Sequence, residues 1–235
     1  MSQPCVRRRA LKAAFPYTVP IFASFWFLGL AYGIYMNTSG FSFWYPALMS
    51  LTIFGGSLEF VAVSMLLSPF APVTALLLTL MIQARHLFYG IAMLDRYRGL
   101  GWKKYYLIFG LCDETFSINC TASIPEGVDR GWFYFFVTFL NHMYWFTGAA
   151  AGGIVGSLLS FDTKGLGFVM TAMFVVIFLE QWFKERTHWT ALIGTLAALG
   201  CRLLFGAGDF LIPTMVCILA ALTLLRGPIE REERT

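Results

Sequence analysis

Eight stretches of about twenty mainly apolar residues, roughly 16–36, 45–67, 72–94, 105–123, 132–159, 165–183, 189–206 and 210–226, take up almost the whole chain. A helix needs about that length to cross the roughly 30 Å hydrocarbon layer of a bilayer. In lipid every backbone N–H and C=O must be satisfied internally, which leaves helices or a closed barrel, and segments of this length are helical. The expected fold is therefore an all-α integral membrane protein: a bundle of seven or eight hydrophobic helices, some of them broken or re-entrant. Only 13% of the 235 residues are charged, against about 25% in soluble domains.

One polytopic domain over 16–226 is expected, because no polar or Pro-rich linker interrupts it. A basic segment, 1–15, precedes it and a charged tail, 227–235, follows. The opening "VRRRALK" resembles a twin-arginine export signal, but the apolar run from Phe15 to Met36 is too long for one, so it reads as a cytoplasmic flank. A net charge of +4, scattered beyond the N-terminus, does not make a nucleic-acid surface. Cys112, Cys120, Cys201 and Cys217 lie in apolar segments with no CxxC pair or Cys/His cluster, so neither a metal nor a cofactor is expected.

Basic residues in alternate loops test the orientation. With all segments spanning and the N-terminus inside, Arg7, Arg8, Arg9, Lys12, Arg130, Lys184, Arg186, Arg226, Arg231 and Arg234 fall inside, and Arg96, Arg98, Lys103, Lys104 and Lys164 outside. The balance favours an inside N-terminus. The basic loop "DRYRGLGWKK", 95–104, then lands on the wrong side, and a re-entrant half-helix before it would change the parity. Uncharged "SPFAP", 68–72, suits a tight turn between segments two and three. Gly29 with Gly33, and Gly148, Gly152 and Gly156, repeat at spacing four and offer smooth faces for close helix contact, within the bundle first and at a subunit interface as the alternative. "FGGSLEF", 54–60, aligns weakly with "FGLCDET", 109–115, setting Glu59 opposite Glu114 in a pattern compatible with a repeat of broken helices.

Against this apolar background stand Glu59, Gln83, Arg85, His86, Asp113, Glu114, Asn119, Asn141, His142, Glu180 and Arg202. An ionised side chain at the bilayer centre costs roughly 3 kcal/mol on insertion scales, so such residues face a partner or a cavity. One reading is structural: Arg85 pairs with Glu59 or Asp113 and holds the bundle together. The other is a site, because Glu59, Arg85 with His86, and Asp113 with Glu114 lie in three consecutive segments, and stability alone rarely calls for so much buried charge. Glu180 and Arg202 lie near helix ends, where side chains can snorkel. His142 reads as a hydrogen-bonded core histidine. A Ser57 and His142 dyad lacks identifiable oxyanion donors and no HExxH is present, so no enzyme and no catalytic residue is expected.

"GGSLEFVAVSMLL" (55–67), "RHLFYGIAML" (85–94) and "FGLCDETFSIN" (109–119) resemble the three signature stretches of the AzlC family, the large subunit of two-component branched-chain amino acid exporters. The likeness covers most of the chain in segment order. It implies a multi-pass protein of the bacterial inner (cytoplasmic) membrane that exports leucine, isoleucine, valine and methionine with proton coupling, beside a small hydrophobic AzlD-like subunit. An apolar zwitterion needs a cation for its carboxylate, an anion for its ammonium and an apolar pocket. Arg85, Glu59, Asp113, Glu114, Tyr89, Phe60 and Phe116 are the candidates for binding, with Phe54 and Leu87 nearby. Glu114, Asp113 and Glu59 are the candidates for proton coupling, and His86, Asn119 and His142 for support. The rival reading is a non-transporting membrane scaffold whose charges pair internally.

Overall fold

The computed structural model describes residues 3–158, 171–172, 175, 178–179, 182–183 and 188–225. Segment 165–183 for the most part, Glu180 and the tail 227–235 lie outside the described residues. Among those described there are ten helices and no strand: α1 (Gln3–Thr38), α2 (Trp44–Thr52), α3 (Ser57–Leu67), α4 (Pro72–Ile82), α5 (Ala84–Met93), α6 (Lys103–Phe109), α7 (Asp113–Thr121), α8 (Arg130–Leu158), α9 (Trp189–Asp209) and α10 (Leu211–Leu224). The chain divides into two units, Met1–Leu166 and Gly167–Thr235.

By length and composition, α1 over Cys5–Thr38 and α9 over Trp189–Gly206 are long and apolar enough to cross a membrane, and α4 with α5, bent by 50°, make a third if taken as one span. The expected seven or eight hydrophobic helices are thus not all continuous. Segments 45–67 and 105–123 are each split in two, at Ile53–Gly56 and Gly110–Cys112.

In the first unit, α1 and α8 lie side by side with their backbones nearly touching. A methyl group on Gly29 would sit 2.9 Å from the Trp145 carbonyl oxygen, and one on Gly148 2.7 Å from that of Trp26. At Gly33 and Gly152 it would overlap the backbone of Ala149 and of Leu30. Residue numbers rise together along the contact, so the two helices are parallel. Lipid gives helices no hydrophobic reason to associate, and close packing of small residues supplies it instead.

At 1.5 Å per residue the 36 residues of α1 make a rod of about 54 Å, longer than the roughly 30 Å hydrocarbon layer. We call its Gln3 end near and its Thr38 end far. From the far end α2 runs inward: Phe43 and Pro46 lie against Gly153, and the Ser50 carbonyl accepts from His142 Nε2 at 3.2 Å. Phe54 (φ 45°) and Gly56 (φ 39°) then take left-handed backbone conformations that break the helix. From there α3 returns outward, since Phe54 meets Phe25 while Phe60 stacks 6.1 Å from Tyr35, ten residues farther along α1. The α2–α3 pair is a re-entrant hairpin.

Beyond the turn at 68–71, α4 runs inward again to Gln83, whose amide nitrogen presses on Gly55. From there α5 continues to the near end, where Met93 joins a core of Ala14, Leu107, Phe133 and Tyr134. A second hairpin enters from that end. Lys103 at the start of α6 lies 4.1 Å from the Trp132 ring, and Tyr106 reaches His142 Nδ1 at 3.0 Å. After the break at Gly110–Cys112, α7 turns back, so that the Asn119 carbonyl accepts from Arg96 at 3.0 Å and the Ser123 carbonyl from Tyr17 at 3.1 Å. The weak likeness of "FGGSLEF" to "FGLCDET" falls on the two breaks, with Gly55 and Gly110 in matching places.

This geometry corrects the basic-residue count. Arg7 and Lys103 both lie over Trp132, at 4.4 and 4.1 Å, and Arg130 donates to the Arg96 carbonyl at 3.0 Å. The basic loop therefore shares the near end with the N-terminus, because two counted spans turn back instead of crossing. The far-end turns at 39–43 and 68–71 contain no lysine or arginine. In the second unit α9 carries a left-handed break at Gly206 (φ 78°), and Arg202 lies 5.7 Å from the Phe210 ring.

Two outcomes are expected. In intact cells Cys5 and a cysteine introduced at Arg98 should react from one face of the membrane and one at Phe70, 93% exposed, from the other; Arg98→Cys labelling together with Phe70→Cys would refute the hairpins. Gly152→Leu should destabilise the purified protein by about 1–3 kcal/mol or more through overpacking against Leu30, read from its melting in detergent beside the control Gly194→Leu, which has open space.

Candidate functional site

Three helix breaks gather at mid-length of α8, and each carries charge. Asp113 and Glu114 occupy the first turn of α7 and Glu59 that of α3, where unpaired N–H groups and the helix dipole favour carboxylates. Arg85 sits in the first turn of α5, where the dipole disfavours a cation, and Asp113 compensates: Arg85 Nη1 lies 2.7 Å from Asp113 Oδ2. The contact uses one nitrogen and one oxygen, and the two side chains remain 36% and 34% exposed.

That pair is half-used. Arg85 Nε and Asp113 Oδ1 are buried without a hydrogen-bond partner, and so are Gln83 Oε1 and His86 Nδ1 beside them. Buried polar atoms are normally paired, and four orphans on residues 83, 85, 86 and 113 mark a place where a ligand's polar groups would be met. One turn along each helix lies an aromatic wall: Tyr89 stacks on Phe116 with centroids 4.5 Å apart and planes at 16°, and His86 meets Tyr89 edge-on at 5.7 Å. The spacings from Arg85 to Tyr89 and from Asp113 to Phe116 put charge and ring on one face of each helix. The site thus offers donors, an acceptor and an apolar surface side by side.

The structure brings Arg85, His86, Tyr89, Asp113 and Phe116 together, with Glu114 following Asp113 and free of ion pairs among the described residues. Glu59 and Phe60 belong to a second cluster. Arg85 pairs with Asp113, not with Glu59. The Glu59 carboxyl is fully buried and accepts from Gly55 N–H at 3.0 Å and from Trp145 Nε1–H at 3.0 and 3.1 Å to its two oxygens. Phe60 packs on Tyr32 at 5.3 Å, and the Tyr32 ring stacks on Trp145. Asn119 donates to the Tyr97 hydroxyl at 2.8 Å, while its Oδ1 is unpaired. Leu87 is 63% exposed, on the other face of α5, and Phe54 packs on His142.

His142 is a core histidine with both nitrogens used. In an unbroken helix the Ser50 carbonyl would accept from the N–H four residues on; the break frees it, and His142 Nε2 takes that role. Nε2 therefore carries the proton, and Nδ1 accepts from the Tyr106 hydroxyl.

Trp145, Tyr106, Ser50 and Thr115 did not stand out in the sequence. Trp145 lies four residues after Asn141, on the helix face that carries amide and imidazole, and that spacing was the available signal. Asn141 in turn donates to Thr115 Oγ1 at 3.1 Å, bracing the start of α7.

Residues 20–159 match the family model described as AzlC protein. The chain is 61% identical over 224 residues to the branched-chain amino acid transport protein AzlC of Bacillus subtilis, covering 95% of this chain and 88% of that one. It is 51% identical to an uncharacterized membrane protein of Haemophilus influenzae, over 94% and 91% of the two chains. With the inner membrane protein YgaZ of Escherichia coli it shares 27% identity over 77% of each. No solved structure matches.

Removing the indole donor should isolate the Glu59 cluster. Trp145→Phe leaves a buried acceptor short of a partner and should cost about 1–3 kcal/mol. In Glu59→Met/Trp145→Phe, where both polar partners are gone, the loss should be smaller than the sum of the single losses. Strictly additive melting shifts in detergent would show that the two side chains do not interact.

Proposed function

The chain belongs to the AzlC family, and from that premise we propose that it is a membrane transport subunit exporting the branched-chain amino acids leucine, isoleucine and valine, with methionine as a further substrate. What carries this reading is the half-used Arg85–Asp113 pair, whose Nε and Oδ1 are buried without a partner. A zwitterion entering here sets its carboxylate on the guanidinium and its ammonium on the aspartate. One ion-pair contact becomes two, and the site stays neutral, because the ligand carries both charges. A net anion would leave Asp113 unanswered, and an uncharged ligand could bond the two orphan atoms only without the charge assistance that a zwitterion brings to both. The aliphatic side chain then rests on Tyr89 and Phe116.

Arginine suits this role better than lysine, because its planar fork offers two parallel donors to a carboxylate. Glu59 and Glu114 have no cation within ion-pair distance among the described residues. They and Asp113 are the groups by which a proton would be gained and lost during the cycle, with Glu114 first among them. The near end, which gathers the basic residues, faces the cytoplasm in this reading. The protein lies in a bacterial inner membrane as a multi-pass subunit beside a small AzlD-like membrane partner.

A second reading, a non-transporting scaffold, draws on the same 2.7 Å contact, which by itself neutralises Arg85. Vesicles holding this chain, with and without the small partner, separate the two through leucine flux. Arg85→Lys should stay in the membrane yet lose about tenfold or more in flux, as expected when a charge-assisted hydrogen bond worth about 1.5–3 kcal/mol is lost. Arg85→Gln/Asp113→Asn should fold and fail to transport. A double variant that transports normally would eliminate the carboxylate role. Glu114→Gln and Glu59→Gln should flatten the pH dependence of flux; an unchanged profile in both would exclude proton coupling through these acids.

A further inference from the structure

We infer that His142 is a positioning residue that ties the two re-entrant hairpins together, so that the breaks at Phe54–Gly56 and Gly110–Cys112 do not open at the same time. The inference rests on the transport reading above, in which a substrate site at mid-depth is reached from one face or the other. Its basis is geometric. One imidazole bonds both hairpins, donating from Nε2 to the Ser50 carbonyl of α2 at 3.2 Å and accepting at Nδ1 from the Tyr106 hydroxyl of α6 at 3.0 Å. The ring also lies 4.5 Å from that of Phe54, in the first break, and 5.8 Å from that of Phe109, beside the second. The hairpins enter from opposite ends, so this ring is a place where displacement of one is felt by the other.

The neutral ring has a single proton, and that links the two bonds. While Nε2–H is held by the Ser50 carbonyl, Nδ1 is an acceptor for Tyr106. When the first hairpin moves away, the buried Nε2–H loses its acceptor, and turning the ring to recover one would give up the bond from Tyr106 as well. The ring therefore stays on Tyr106, and the second hairpin stays closed. The same sequence runs in reverse from the second hairpin. One hairpin therefore opens from a ring still anchored by the other, and loosening both forfeits both bonds in a buried place, where unmade hydrogen bonds are expensive.

The matching positions Ser57 and Cys112, one beside each break and both half-buried, provide the test. The full chain carries Ser57→Cys with native Cys112, and Cys5, Cys120, Cys201 and Cys217 replaced by alanine. It is placed in nanodiscs open on both faces and treated with a polymer-tagged maleimide, and adducts per molecule are counted on a gel. A bulky adduct at one break holds that hairpin open, so the parent should stop at one adduct although each thiol reacts in its own single-thiol chain. His142→Leu should raise the doubly labelled fraction about fivefold, the factor expected for losing one hydrogen bond of about 1 kcal/mol. His142→Gln, which keeps one donor and one acceptor, should return it to the parent value.

A doubly labelled parent, a thiol that never reacts in its single-thiol chain, or a singly labelled His142→Leu would each overturn the inference. If His142→Leu does not fold, Tyr106→Phe takes its place: it removes one hydroxyl and must raise double labelling, and no rise would equally overturn it. The count does not depend on transport. Absent leucine flux with single labelling would sink the transport reading and leave the tie between hairpins standing.

Discussion

A helix that breaks inside a membrane releases carbonyls and amides into surroundings with nothing to bond them, and the first unit is organised around that constraint. The answer comes mainly from a short run of α8. His142 takes the Ser50 carbonyl, Trp145 meets Glu59, which in turn accepts from Gly55 N–H, and Asn141 holds Thr115 at the start of α7. The first two meet backbone groups left at a break, and the third braces the helix that follows one. Because α8 is clamped backbone to backbone against α1, these repairs are made from a fixed position.

The charged residues follow from the same breaks. Each half-helix that starts at mid-depth presents unpaired N–H groups, and an acid stands there in α3 and in α7. In α5 the residue at that place is Arg85, and its neighbour across the break is Asp113. The ion pair joins two helix starts of opposite charge, α5 and α7, beside the stacked rings of Tyr89 and Phe116. A cation, an anion and an aromatic surface thus meet without any long-range arrangement beyond the placing of two hairpins.

Much of this was legible in the sequence. Apolar length gave the helices, the density of charge in three consecutive segments marked candidate residues, of which the structure brings Arg85, His86 and Asp113 together, and the pairing of Arg85 with Asp113 was one of two partnerships open to it. What apolar length cannot distinguish is a segment that crosses from one that enters and returns, since both need about twenty apolar residues. The misplaced basic loop at 95–104 was the trace of that ambiguity. The direction of α3 decided the fate of Glu59: because the chain turns back at Gly56, its carboxyl is carried to Trp145 and away from Arg85. Trp145 stayed hidden because an indole in an apolar stretch looks like any other large side chain until its partner is known.

The parallel pairing of α1 and α8 has a consequence for how the protein is made. Thr18 and Tyr144, whose hydroxyls meet at 3.2 Å, are 126 positions apart. Both helices run the same way, so the ribosome must deliver two hairpins and a return crossing before the second member of the clamp emerges. Until then α2–α7 have no fixed support and their broken ends no α8 to repair them. Contacts this distant in sequence close slowly. The half-made protein therefore holds exposed polar backbone in the bilayer, a stage at which the insertion machinery or a neighbouring subunit has something to shelter.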